Sequence, residues 1–183
     1  MNHPALVTTE NKQEYPILIV DKNGQIGEEL ANTLKNESLV VFVSKKQPHS
    51  TENIIHIPFF KRFPTIPDNN YSYIFLIDEN MEVAKESIQA FIKKAKNDSC
   101  PLILGINLEF YSDSFLESFI RSYNKAKVVV FGDIFKKEQI SKIPKITSSK
   151  KTGLTSVVPS PGMLILPDDF IWEMNLLISV WGL

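Results

Sequence analysis

One cysteine in 183 residues leaves no possibility of an internal disulfide, so no covalent framework holds this chain. The three histidines, His3, His49 and His56, fall in no metal-ligand spacing, and no metal site is expected. A charge surplus is also lacking. Twenty Lys and Arg stand against 21 Asp and Glu, a net charge of −1, which gives no global attraction to nucleic acid or to an anionic membrane. The opening MNHPALVTTENKQEYP has neither the basic start nor the apolar core of a signal peptide, and no apolar run of about 18 residues occurs. The chain reads as cytoplasmic, with no nucleic-acid or membrane partner. Its 43% hydrophobic content and its length suit one soluble domain with a full core.

The stretch from Ile17 to Leu34, ILIVDKNGQIGEELANTL, organises the rest. A short apolar strand (17–20) runs into a turn with Gly24 and Gly27, and a helix follows with Ile26, Leu30, Ala31 and Leu34 at helical spacing. This is the first β-turn-α unit of a nucleotide-binding α/β fold. Glycines there let the backbone approach a pyrophosphate, which the helix N-terminus then attracts. Residues 1–15 read as a flexible arm, and 16–183 as the domain. Further strands are expected at 39–43, 54–59, 73–77, 102–108, 128–131 and 164–166, with helices at 82–96, 114–123 and 170–181. The alternation predicts an α/β, Rossmann-like, doubly wound and mostly parallel sheet of six or seven strands.

The order of elements and the glycines resemble the extended short-chain dehydrogenase/reductase family, the NAD-dependent nucleotide-sugar epimerases and dehydratases. That family's first turn reads G-x-x-G-x-x-G, against Asp21-Lys22-Asn23-Gly24-Gln25-Ile26-Gly27 here. VVVFGDIF (128–135) looks like its strand and loop on the substrate side, and LPDDF (166–170) like its motif before a late helix. The resemblance implies NAD or NADP as cofactor, held by Asn23, Gly24, Gln25, Ile26 and Gly27, and a nucleotide sugar as substrate. Lys45 and Lys46, after the second strand, stand where an acid would bind the ribose hydroxyls. Lysines there favour the 2′-phosphate of NADP, or form a solvated pair. Oligomers through the helices, including the last one with Trp172 and Trp181, are also in view.

The departures point the other way. Asp21 puts a side chain and a negative charge where the family has glycine, and Asp78 and Glu79 add carboxylates at the end of the fourth strand. The family's hydroxyl residue is replaced by Asn107. Tyr111 is followed by Phe115 where a catalytic lysine should stand. Asn107 and Tyr111 remain the only catalytic candidates, with Tyr111 read as a packing residue. The chain also ends where the family's substrate portion would still be building, which reads as a shortened fold or a fragment of a longer chain. Two alternatives therefore stay open. One is a non-catalytic Rossmann-like scaffold or interaction module. The other is a receiver-like, flavodoxin-type domain with Asp21 and Asp78 as its acids, although Lys22 breaks the acidic pair that a receiver needs. His56 is read as a core or edge histidine, Cys100 as an inert thiol, and the lysines from Lys136 to Lys151 as a solvated loop.

Overall fold

A computed structural model describes residues 15–59, 66–78, 85–107, 113–131, 147–148, 157–158 and 163–166. The elements in chain order are β1 (Ile17–Asp21), α1 (Gln25–Leu34), β2 (Val40–Ser44), β3 (Ile54–Pro58), β4 (Tyr73–Asp78), α2 (Lys85–Asp98), β5 (Leu102–Asn107), α3 (Asp113–Ser122), β6 (Ala126–Phe131), β7 (Thr147–Ser148), β8 (Val157–Val158) and β9 (Met163–Leu166). Seven strands make one sheet in the order β3-β2-β1-β4-β5-β6-β9, and every neighbouring pair is parallel. The two short strands β7 and β8 pair antiparallel in a sheet of their own. The expected Rossmann-like α/β sheet is what forms, and it is parallel throughout.

β1 lies inside the sheet, and all five of its residues are buried. Its side chains alternate between two cores, as the two-residue period of a strand requires. Ile17 and Ile19 join Leu30, Ala31 and Leu34 of α1 with Val40 and Phe42 of β2. Leu18 and Val20 face the opposite layer, where Ile88, Phe91, Ile92 and Ala95 of α2 and Leu116 and Phe119 of α3 pack. Helices cover both faces, the doubly wound arrangement. Burying each large aliphatic side chain contributes roughly 1.5–3 kcal/mol, so these two layers carry most of the stability.

Strand ends fall where burial changes. β1 continues one residue past its apolar run to Asp21, and β2 runs to Ser44, because both polar residues are buried and find partners inside. The β3–β4 connection is tied down by Tyr71, whose hydroxyl donates to the Pro67 carbonyl at 2.9 Å and whose N–H donates to Asp98 at 3.1 Å. Lys94 closes that corner, 3.0 Å from Asp98. Cys100 is buried, and burial above all, with Asp98 adding, pushes its thiol up to about 12, which agrees with an inert role. The arm up to residue 14, the helix expected at 170–181 with Trp172 and Trp181, Glu79, Tyr111 and most of the Lys136–Lys151 segment lie outside the described residues.

Candidate functional site

The strand order reverses between β1 and β4, and in an open parallel sheet a ligand crevice is built at the carboxyl ends beside such a reversal. The turn between β1 and α1 stands there. Gly24 caps the helix with φ +87°, a left-handed conformation that favours glycine, and its carbonyl accepts the Glu28 N–H at 2.9 Å. Space does not demand glycine at that position. A Cβ on Gly24 would sit 3.5 Å from Ser44 Cβ, an ordinary contact.

Gly27 is the reverse case. A Cβ there would lie 2.7 Å from Asp21 Cβ, 2.8 Å from Phe42 Cε2 and 3.1 Å from Asp21 Oδ2. The glycine lets α1 settle onto the side chains of β1 and β2. Its N–H donates to Asp21 Oδ2 at 2.8 Å, and Asp21 is only 2% exposed. Burial pushes the Asp21 carboxyl above its ordinary range. The N–H groups of Gly27, Gly24 and Asn23 pull it back down, and the charge of Asp78 adds to the rise. Asp78, 3% exposed, ends the neighbouring strand, one residue beyond the partner of Asp21 in the β1–β4 register. The amides expected to receive a pyrophosphate therefore already point at a carboxylate of the chain itself.

With Asp21 placed this way, a pyrophosphate meets no free N–H from Gly27 and meets two buried carboxylates instead, so the residues as arranged do not fit the group. Of the other expected contacts, Asn23 and Gln25 are exposed and Ile26 is half-buried against the α1 core. Lys45 and Lys46 are exposed just past β2, and the Lys45 N–H donates to the Lys22 carbonyl at 3.1 Å, joining the two loops. Asn107 closes β5, paired with Phe131 of β6. Its side chain lies outside the described residues.

Two polar arrangements escaped sequence reasoning. The Ser44 hydroxyl donates to the Lys46 carbonyl at 2.6 Å, and His56 Nε2 lies 3.0 Å from Ser44 Oγ and 3.1 Å from the Ser44 carbonyl. A carbonyl only accepts, so Nε2 carries the hydrogen and is no base for the hydroxyl. This Ser/His pair is a strand-end clasp. The second arrangement holds the β2–β3 loop. Glu28 Oε1 accepts the His49 N–H at 2.6 Å and lies 2.5 Å from His49 Nδ1, while Lys35 Nζ donates to Ser50 Oγ at 3.0 Å. The backbone N–H of His49 first, then its ring, holds the Glu28 carboxyl below the ordinary carboxylate range. Partners 21 residues apart leave no local pattern to read.

A groove of about 320 Å³ lies between α2 and α3, lined by Ile88, Ile92, Phe115 and Ser118 among others. Among the described residues no group of three or more His, Cys, Asp or Glu could hold a metal ion, and no helix is long and apolar enough to cross a membrane.

Fold and turn together define a doubly wound, parallel, Rossmann-like α/β protein whose first loop carries its own carboxylate. No protein-family model and no curated protein matches the sequence. Among solved structures, MoeE5 in complex with UDP-glucuronic acid and NAD is similar, with a TM-score of 0.47 and 12% identity over 90% of this chain and 80% of that one. A UDP-N-acetylglucosamine 4-epimerase from Methanobrevibacter ruminantium M1, in complex with UDP-N-acetylmuramic acid, gives a TM-score of 0.45 and 12% identity over 64% of this chain. The chain covers 54% of that epimerase's length. The relation is a distant one, at the level of fold.

Proposed function

We propose that this chain is a Rossmann-like scaffold or interaction domain that works without a dinucleotide cofactor. The observation that supports this best is the Asp21 carboxylate, buried and 2.8 Å from the Gly27 N–H in the place where a pyrophosphate would be received. The lysine missing four residues after Tyr111 agrees with it, because a tyrosine near its ordinary pKa of about 10 is a poor proton shuttle at neutral pH. The Y-x-x-x-K spacing from Tyr123 to Lys127 runs from just past the end of α3 into β6 and not along a helix, and the Tyr123 hydroxyl donates to the Cys100 carbonyl at 2.9 Å. Titration calorimetry and thermal shift with NAD, NADP and a UDP-sugar test the reading. No heat and no change in Tm at millimolar ligand is the expected result, and saturable binding of any of the three would overturn it.

A second reading has its own support. Lys45 and Lys46 are exposed at the carboxyl end of β2, beside the Gly24 loop, where cations suit a 2′-phosphate. On this reading the chain is a divergent NAD(P)-binding protein of the epimerase/dehydratase type, with Gly24, Gly27, Lys45 and Lys46 holding the cofactor and its nucleotide-sugar chemistry weakened or lost. NADP binding that exceeds NAD binding and falls away in Lys45→Ala/Lys46→Ala would favour it over the scaffold.

A further inference from the structure

We propose that the Asp21 carboxylate is a tethered anion that keeps the β1–α1 cradle closed, and that this one contact separates the loop from an open pyrophosphate site. The inference rests on the reading above, that the native chain works without a dinucleotide, and names what enforces it. The occupant is in plain view: Asp21 Oδ2 stands 2.8 Å from the Gly27 nitrogen on a side chain 2% exposed. Carboxylate and phosphate oxygens ask the same geometry of an N–H donor at a helix N-terminus, so one excludes the other. The tether is short and rigid, with the Asp21 Cβ wedged 2.7 Å from where a Gly27 Cβ would be. A group held in this way competes at an effective concentration far above that of any free diphosphate. Asp78 on the next strand end adds a second negative charge against an incoming anion.

Removing the carboxylate leaves the Gly27 N–H without its acceptor, and a buried donor in that state must take water or an anion. The experiment compares the wild-type chain with Asp21→Gly and Asp21→Asn. Each is titrated with inorganic pyrophosphate by calorimetry while the Gly27 amide is followed by ¹H–¹⁵N NMR. Wild type and Asp21→Asn should be silent, since the asparagine carbonyl fills the same place. Asp21→Gly should bind at least about tenfold tighter than either and move the Gly27 resonance. A folded Asp21→Gly that stays silent to about 10 mM would overturn the inference. Equal binding by the Gly and Asn variants would overturn it too, leaving charge alone as the barrier. Should Asp21→Gly fail to fold, Asp21→Ala, which keeps a Cβ at the strand end, repeats the comparison. The wild type also provides a test without any variant: its Gly27 amide must shift as Asp21 titrates, and an unmoved amide refutes the contact. The two readings fail separately. NAD bound by the wild type with the Gly27 amide unmoved sinks the cofactor-free reading alone, and a silent Asp21→Gly sinks the tethered anion alone.

Discussion

Gly27→Ala sets two physical effects against each other, and the structure decides their sign. Helix propensity favours the substitution, since Gly in a helix interior is about 1 kcal/mol worse than Ala. Packing opposes it. The new methyl would sit 2.7 Å from Asp21 Cβ and 2.8 Å from Phe42 Cε2, well inside the 3.4 Å where ordinary contact begins. Phe42 is 1% exposed and Asp21 2%, and both stand on strands inside the sheet, so neither can swing away into solvent. Relief requires lifting the first turn of α1, which would also lengthen the 2.8 Å bond from Gly27 to Asp21. Overpacking of this kind costs about 1–3 kcal/mol, and the strained hydrogen bond adds about 1 kcal/mol. Net of the propensity gain, Gly27→Ala should destabilise by about 1–3 kcal/mol, a fall in Tm of about 2–12 °C for a chain of this size. Urea unfolding followed by circular dichroism measures it, with Asp21→Gly/Gly27→Ala as the second arm. Taking away the Asp21 Cβ should recover part of the loss, leaving the Phe42 share. A Gly27→Ala protein as stable as wild type or more so would refute the packing argument.

Gly24→Ala should cost about 1–2 kcal/mol through its φ of +87° and not through crowding, so Gly24→Asn, which tolerates the left-handed region, should lose less in the same unfolding assay. Asp21 gives a pH signature. Its folded pKa is raised above the ordinary 3.8, so its contribution is full below 3.8 and is lost as pH rises through the folded value. The stability of wild type relative to Asp21→Asn should therefore decline upward from about pH 4 in unfolding curves, and a flat or rising difference contradicts the burial of the acid. Glu28 has the opposite sign. Its pKa is lowered from 4.5, so its stabilisation is present above 4.5 and lost as pH falls through the folded value. Glu28→Ala should raise hydrogen exchange at the His49 amide without changing exchange in β1. Cys100, buried with its thiol pushed up to about 12, should resist iodoacetamide at pH 8 until the protein unfolds.

The alternation of apolar runs and helical spacing made β1 to β6, α1 to α3 and their parallel order readable in advance, since a strand buried on both faces has few other ways to look in sequence. Boundaries slipped by a residue or a few. β1 ends at Asp21 and not Val20, β2 spans 40–44 and not 39–43, and β6 begins at Ala126. Each shift places a polar or small residue that finds its partner only in the folded sheet, as Ser44 finds Lys46 and His56. The site divides along the same line. Asp21 stood out as a charge in a glycine's place, and repulsion of a pyrophosphate followed from it. Whether its carboxylate turns to solvent or to the Gly27 N–H depends on how closely α1 approaches β1 and β2, which the residue pattern does not encode. The ring of Phe42, packed on Gly27 from β2, helps set that approach.

The two glycines that look like a ligand signature are both accounted for by the protein alone. Gly24 is required by a left-handed helix cap, and Gly27 by the bodies of Asp21 and Phe42. Neither needs a phosphate to explain it, so their presence in the turn carries no weight for binding once Asp21 is seen between them. The distinction is measurable, because a glycine needed only for a ligand can be replaced at the expense of affinity, whereas one needed for packing is replaced at the expense of stability. Gly27 falls in the second class here. An aspartate in the first glycine's place closes the cradle against a dianion and at the same time gives the N-terminus of α1 the negative charge it would otherwise take from a ligand. The loop thus completes its own hydrogen bonding, and the helix it opens can serve as a fixed structural element.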